Sequence, residues 1–542
     1  MSVVKRRKVN TPNEKQRQLR HIRKLTPTHI LELELKISDQ QKHRLLKINK
    51  HLRLIHNTVL GAVYKNYKEM TRTKKYRHIL KLYREDKLTK QQENSEFNKM
   101  HKEFNVNFTF ARKYGEWLRK HKFTNPDAVT TLSVCEIAWR SMEELIFKGA
   151  RSVRFYKKGE FVVFQGKQAN RSIIYRDNFV THMRMKLPII IKKNDLFVEE
   201  TLSFIQSYKE DSEGIDDLLI SDFENGRNLR STYRIRNNRI VIKQIRGRLR
   251  FYLQIALEGH PVPKRNKDGS FRHSFGVGRV GIDIGTQTKA VVSKNEVYLK
   301  NLAIRAEKTK ADERKEALMQ RYLERSRRAT NPDKFDHKGR FVNSRKPWVF
   351  SNRYLKARKK LRELRRRNAI NRDLSHNEDV NYIRSLGDEF IVEEMNFKAL
   401  QRRTSETTIN ETTGRFNSKR RFGRSIQNRS PGYFVAQAKE RFEATGGSVI
   451  EVNTWSFKAS QYCHKRQDYI KKDLSERWHK FPNGSKVQRD LYSAFLLYCS
   501  KEDFKTTEQE LCEKEFTSFK KMHDEFVQET KDDRQVILNS AI

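Results

Sequence analysis

The chain is poor in cysteine, and its four, Cys135, Cys463, Cys499 and Cys512, form no C-x-x-C pair and no regular framework. That excludes a disulfide scaffold and a four-thiolate zinc site, and it fits a reducing, cytoplasmic setting. No apolar run approaches the ~18 to 20 residues that cross a bilayer. The N-terminal MSVVKRRKVN lacks the apolar core of a signal peptide. No internal repeat shows. Acids are scarce as well: 66 Asp and Glu stand against 115 Lys and Arg, a formal net charge of +49 over 542 residues. A charge of this size repels itself in any compact arrangement unless a polyanion screens it, and nucleic acid is the commonest one. Apolar residues make up 36% of the chain but fall in clearly periodic segments, and the length suggests roughly three or four domains.

Residues 1–25 are dense in Lys and Arg and read as a flexible basic tail that orders on phosphate; KRRKV within it also looks like a nuclear import signal, although a plain basic tail explains it as well. THILELELKIS alternates as one strand, and residues 39–70 read as a helix with a basic polar face. The pattern stays helical to about 150, with a stop-and-start at Asn125-Pro126 and a periodic segment through Val129, Leu132, Cys135 and Met142. Residues 160–260 turn to short β-branched runs. YRIRNNRIVIKQ alternates on both sides of Asn237-Asn238 in a hairpin-like pattern, and RLRFYLQIAL puts Leu249, Phe251, Leu253, Ile255 and Leu257 on one face. Arg248, Arg250, Tyr252 and Gln254 lie opposite, cations and an aromatic of the kind that hold nucleic acid, or else a plain solvated sheet face. Residues 401–430 are polar, basic and Gly-bearing and read as a mobile loop.

Three acids far apart in the chain share a pattern. Asp283 sits within VGRVGIDIGTQTKAVV, flanked by Val280, Ile282 and Ile284 of a buried strand. A carboxylate there is costly unless it is paired or holds a cation. Glu393 and Glu394 end the short apolar strand Phe390-Ile391-Val392, where sheets place ligands. Asp490 opens a helix whose apolar positions Leu491, Ala494, Phe495 and Tyr498 follow helical spacing. Each has an ordinary reading taken singly, as a surface acid or a helix-start acid.

In this order and with these local sequences, the three segments resemble the RuvC-like nuclease domain of TnpB, the transposon-encoded RNA-guided endonuclease, and of its relatives the type V CRISPR effectors. GIDIG is similar to the first RuvC motif, VEEMN to the second and RDLYSA to the third, which makes Asp283, Glu393 and Asp490 the matching catalytic and metal-binding acids. RYLERSRRATNP and SNRYLKARKKLRELRRR also look like the long basic helices between the first two motifs. The resemblance implies a multidomain α+β protein: a β-barrel wedge with an inserted helical lobe, plus a ribonuclease H-like (RuvC) α/β nuclease domain. On it, 1–25 is the tail, 26–50 the first part of the wedge, 51–150 the helical recognition lobe and 151–275 the wedge β-barrel. The nuclease is 276–505, with a basic helical insertion at 305–380 and a degenerate zinc-ribbon segment at 456–486, and 506–542 is a helical extension. The family's zinc ribbon has four cysteines; here Cys463 stands with only His464 and His479, without paired spacing, so zinc is not expected and a loop packed by Trp478 and Phe481 is.

Phosphodiester hydrolysis needs an activated in-line water and a neutralised leaving oxygen, which two Mg²⁺ ions supply on a few rigid carboxylates, with Mn²⁺ able to substitute. Asp283 is the expected bridge, with Glu393 and Asp490 on either side. On the helix at 353–367, Tyr354, Leu361 and Leu364 define a packing side and leave Arg353, Lys356, Lys359, Lys360 and Arg366 outward, a phosphate track. Arg489, beside the third acid, is a further nucleic-acid contact. The resemblance implies a guide RNA and a double-stranded DNA target read by guide pairing plus a short flanking motif, in a cytoplasmic, nucleoid-associated setting. Three alternatives remain. GIDIGTQTKAVV is also close to the first phosphate loop of sugar kinases and actin-like ATPases, but such a kinase has no use for +49 or for the 280 residues that precede the loop. The others are a type V CRISPR effector and an RNA-guided DNA binder whose nuclease has decayed.

Overall fold

The computed structural model describes residues 14–167, 172–306, 310–342, 346–410, 414–417, 422–473, 476–533, 536–538 and 540–542. KRRKV lies outside them. The chain divides into two compact units, Met1–Val262 and Pro263–Ile542.

The first unit opens with helix α1 (Glu14–Leu25) and strand β1 (Thr28–Leu35). The expected flexible tail is thus helical from Glu14 onward. Leu19 and Ile22 give it an apolar stripe that packs on Leu219, and Arg23 pairs with Asp216 at 2.6 Å. Helix α2 (Asp39–Arg72) starts in a capping box, Ser38 and Gln41 each satisfying the other's backbone N–H. Helices α3 (Lys74–Arg84), α4 (Lys90–Glu103), α5 (Phe108–His121) and α6 (Ala128–Phe147) complete the lobe, broken at Asn125-Pro126 as the sequence predicts. The expected boundary at residue 50 falls inside α2. Leu45, Ile48 and Leu52 belong to the sheet core, while Ile55, Val59 and Val63 belong to the helical core, so one unbroken helix serves both.

Strands β2 (Phe164–Gln165), β3 (Ile173–Arg176), β4 (Phe179–His182) and β5 (Met185–Ile190) are followed by helices α7 (Leu196–Glu210) and α8 (Ser212–Glu224), then by β6 (Ile235–Ile245) and β7 (Arg248–Glu258). The two helices were not anticipated among the β-branched runs. The seven strands pair antiparallel in the order β2-β6-β7-β1-β5-β4-β3. The sheet is nearly closed: Asn238 Nδ2 on β6 donates to Ile173 O on β3 at 3.1 Å. Asn237-Asn238 is therefore not a turn. The reversal comes at Arg246-Gly247, both at positive φ (49° and 80°), as a two-residue hairpin requires. Phe251, Leu253, Ile255 and Leu257 point into the core as their alternation predicts.

The second unit is built on five strands: β8 (Arg279–Ile284), β9 (Thr288–Ser293), β10 (Val297–Asn301), β11 (Glu389–Glu393) and β12 (Ser448–Val452). Their order is β10-β9-β8-β11-β12; β8, β9 and β10 run antiparallel, and β8, β11 and β12 run parallel. Helices α9 (Lys310–Ala329) and α10 (Asn352–Leu386) lie between β10 and β11, and α11 (Phe397–Leu400), α12 (Gly423–Arg429) and α13 (Pro431–Ala444) between β11 and β12. The expected mobile loop over 401–430 thus contains α12, anchored where Arg429 O meets His376 Nε2 at 2.8 Å. After α14 (Thr454–Phe457) come two small hairpins, β13 (Tyr462–Cys463) with β14 (Asp468–Tyr469) and β15 (Trp478–Lys480) with β16 (Lys486–Gln488), then α15 (Arg489–Tyr498) and α16 (Gln509–Asp532). Alternation along the strands splits the core in two. Val280, Ile282, Phe390 and Val392 pack with Ile383, Phe434 and Phe442, whereas Ala290, Val292, Ile391 and Val452 pack with Leu491, Phe495 and Phe519. No described helix is long and apolar enough to cross a membrane.

Candidate active site

Strand alternation decides where the first two acids point. Residues 280, 282 and 284 face the α10 and α13 side, so Gly281 and Asp283 face α15. By the same count Ile391 and Glu393 share that face. β8 and β11 are parallel neighbours with Val392 opposite Ile282, so the next register step sets Glu393 beside Asp283. The third acid arrives by helix packing. A Cβ on Gly281 would lie 2.1 Å from Ala494 O and 2.4 Å from Tyr498 N, so the missing side chain lets the α15 backbone rest directly on β8. Gln488 caps α15 by accepting from Leu491 N at 2.8 Å, and Asp490 occupies the first turn, where the free N–H groups favour a negative charge.

Asp283 lies within electrostatic reach of both other acids. Burial, and after it the neighbouring Asp490 and Glu393 charges, pushes the Asp283 carboxyl well above the usual carboxylate range; Arg489 and a hydrogen bond with the Ser493 side chain oppose the rise. Burial also raises Glu393, against the Ala459 N–H that donates to its Oε1 at 3.1 Å. Among the described residues no group of three His, Cys, Asp or Glu side chains is placed to hold a metal ion, and that includes Asp283, Glu393 and Asp490 as they stand. Glu394, the other acid at the end of β11, is exposed.

The predicted nucleic-acid contacts divide. Arg353, Lys356, Lys359 and Lys360 are exposed along α10, with no acidic partner among the described residues. Arg366 is not free: it grips Glu363, one turn back, through two bonds of 2.9 and 2.6 Å. Arg250 is neutralised by Glu34 at 3.0 Å, because β1 pairs with β7 and sets Glu32 and Glu34 on the same outer face. Tyr252 lies under Lys243, 4.9 Å from its ring centre, and Lys243 pairs with Glu32 at 2.6 Å. Arg248 remains exposed at the start of its strand. Arg489 is committed internally, donating to Asp473 O and Glu476 O at 3.2 and 3.0 Å, with its Nε 3.5 Å from Asp490. It braces the loop before α15 and sets the charge beside Asp283.

In the segment corresponding to the zinc ribbon, His479 Nε2 is 3.3 Å from Cys463 Sγ, and its Nδ1 meets Lys472. His464 turns away, its Nδ1 2.6 Å from the Tyr492 hydroxyl. Burial pulls His479 down to about 3 and His464 to about 4, so both rings are neutral. Phe481, Tyr492, Phe495 and Phe516 surround them, Phe481 and Phe495 edge-on and Tyr492 and Phe516 tilted, so the two hairpins rest on an aromatic core. Trp478 packs elsewhere, edge-on to His523. Sequence reasoning passed over Gly281 and Ser493, whose roles exist only once α15 is seated on β8.

No protein-family model matches the chain, and no curated protein does. Among solved structures, a Cas12f1–sgRNA–target DNA complex is similar at 11% identity and a TM-score of 0.36, covering 89% of this chain and 100% of that one. A CRISPR–Cas12f ternary complex is similar at 12% identity and a TM-score of 0.23, covering 87% of each chain.

Proposed function

We propose that this chain is an RNA-guided, Mg²⁺-dependent DNA endonuclease of the TnpB type, cutting through a RuvC-like site formed by Asp283, Glu393 and Asp490. The observation that carries the reading is that Asp283, on the α15 face of the sheet where the register sets Glu393 beside it, feels the charges of both Glu393 and Asp490, acids spread over some 200 residues of sequence. The strand order β10-β9-β8-β11-β12, with its antiparallel and parallel halves, supports a ribonuclease H-like domain. The donor set supports the metal: three carboxylates offer only hard oxygen ligands, and a divalent cation would offset the burial and the acidic neighbours that together raise Asp283.

Asp283 would hold the shared position, with Glu393 and Asp490 completing either side. When bound, two Mg²⁺ ions supply an activated water and neutralise the leaving oxygen. Ser493 lies beside the Asp283 carboxyl with its hydroxyl donating to Arg489 O at 3.1 Å, the Ala459 N–H fixes one oxygen of Glu393, and Arg489 braces the loop that precedes Asp490. Arg353, Lys356, Lys359 and Lys360 supply sequence-independent phosphate contacts. Guide RNA and duplex DNA with a short flanking motif are the proposed partners.

The test is to purify the chain with its bound RNA, sequence that RNA, and incubate the particle with a plasmid carrying the matching target. Linearisation that needs Mg²⁺ and a matched target is expected. A particle that binds the target and leaves it intact is a guided binder without nuclease activity, and phosphate release from ATP independent of RNA would restore the kinase reading.

A further inference from the structure

The connector between α9 and α10 carries a row of rings that the carboxylate site does not use. Phe341 and Trp348 stack at 5.9 Å and 13°, Trp348 and Phe350 at 6.3 Å and 4°, and Phe350 and Tyr354 at 4.7 Å and 12°. Phe335 closes the inner side, edge-on to Phe341 and Trp348. Dedicated contacts build this ladder. Asn331, 2% exposed, accepts from Val349 N at 2.7 Å and donates to Val349 O at 2.8 Å. That clamp holds Trp348-Val349-Phe350 against the end of α9. Phe341 is held by a β-bridge to Phe335 across a turn at Gly339, whose φ is 69°. Arg327 and Arg328 lie over the rings from behind, Arg327 5.3 Å from Trp348 and Arg328 5.2 Å from Phe335.

The front is open. Phe341 is 59% exposed and Trp348 36%. Lys338 and Arg340 precede Phe341, on a turn where the Asp336 carboxylate accepts from both backbone N–H groups at 3.0 and 2.7 Å, and Arg353 and Lys356 flank Tyr354; all four side chains are exposed. A satellite core closes over its rings. Phe341 and Trp348, exposed among cations at one end of a row whose Phe350 and Tyr354 are half-buried, suit a polyanion whose flat groups are unpaired, because a base can stack while its phosphate meets a charge.

We propose that this ladder is a stacking platform for unpaired nucleotides of RNA, an assignment that rests on the guided-nuclease reading for its choice of RNA over DNA. α10 begins at the ladder and reaches the sheet layer only at Val380 and Ile383, roughly 40 Å further along at 1.5 Å per residue. A strand to be cut must be delivered to the carboxylates, whereas a guide that stays bound is free to be gripped far from them. Aromatic rings and Arg planes under unpaired bases are also the usual means of holding RNA.

The test titrates the full chain, stripped of RNA at high salt, with a ten-nucleotide oligo(rA), the matching oligo(dA) and a blunt RNA duplex, following tryptophan fluorescence and anisotropy. Oligo(rA) is expected to bind more tightly than oligo(dA) and to quench the fluorescence. Trp348→Phe keeps the stack, so it should lose most of the quench while affinity stays within about twofold. Phe341→Ala with Trp348→Ala should weaken oligo(rA) by at least ~5-fold and leave duplex binding unchanged. Full quench in Trp348→Phe, or equal losses on single strand and duplex, overturns the platform, as does unaltered oligo(rA) affinity in the double variant. A ladder-dependent preference for oligo(dA) overturns the assignment to RNA. None of these readouts requires cleavage, so an inactive nuclease leaves them interpretable; if the double variant does not fold, Trp348→Phe decides the matter alone.

Discussion

Replacing Asp283 with Asn is expected to abolish guided DNA cleavage and, in the absence of divalent ions, to raise the melting temperature near neutral pH. The loss should exceed the ~10- to 100-fold typical of groups that only support a metal ligand, while RNA binding stays within a few-fold. The gain in stability follows from the sign of the shift. The Asp283 carboxyl is raised above the ordinary value of 3.8 by burial and by its acidic neighbours, so above that pH the folded state retains a proton that the unfolded state has released. Stability then falls as pH rises from 3.8 through the raised folded-state value. Asn carries no such proton. The gap between variant and wild type should therefore widen as pH rises above about 4, and Mg²⁺ should raise the wild-type melting temperature and leave the variant unmoved. A variant less stable than wild type at pH 8 without Mg²⁺ would show that Asp283 is held by compensating contacts, not strained by its neighbours.

Gly281→Ala should damage both stability and activity. The added Cβ would meet Ala494 O and Tyr498 N, backbone atoms that cannot rotate aside, so α15 must lift from β8. Overpacking of this kind costs about 1–3 kcal/mol, sometimes more. Because Asp490 rides on the first turn of α15, the lift also shifts it relative to Asp283, and a displacement of ~1 Å can cost about 100-fold in rate. Gly285→Ala is the control. It lies two residues past Asp283, yet its Cβ would find nothing closer than the Thr288 hydroxyl at 3.4 Å. Thermal melting and single-turnover cleavage of the two variants should differ sharply; similar behaviour would mean that the seating of α15 on β8 does not set the site.

Much of the local structure was legible because its signals are local. β1, α2 and the inward face of β7 follow from period-2 and period-3.6 patterns, and Asp283, Glu393 and Asp490 stand out as acids at strand ends or a helix start. What escaped depends on contacts between distant segments. Arg250 looked free until register placed Glu34 beside it across 216 positions. The two asparagines at 237–238 resembled a turn because polar residues seldom lie inside a strand, yet Asn238 is buried and spends its amide on the neighbouring edge. Other misses were avoidable. Arg366 has Glu363 three residues before it, a helical pair visible in the sequence. Asp195 and Asp211 each accept a backbone N–H at the start of a helix, so α7 and α8 announced themselves by their caps.

Counting bound Mn²⁺ by electron paramagnetic resonance, in the wild-type chain and in Asp283→Asn, Glu393→Gln and Asp490→Asn, tests the central claim most directly. Two ions per chain are expected in the wild type, with both sites weakened in Asp283→Asn and one weakened in each of the other two variants. A wild-type chain that binds no Mn²⁺ at millimolar concentration, or three variants that bind it as the wild type does, would contradict the account.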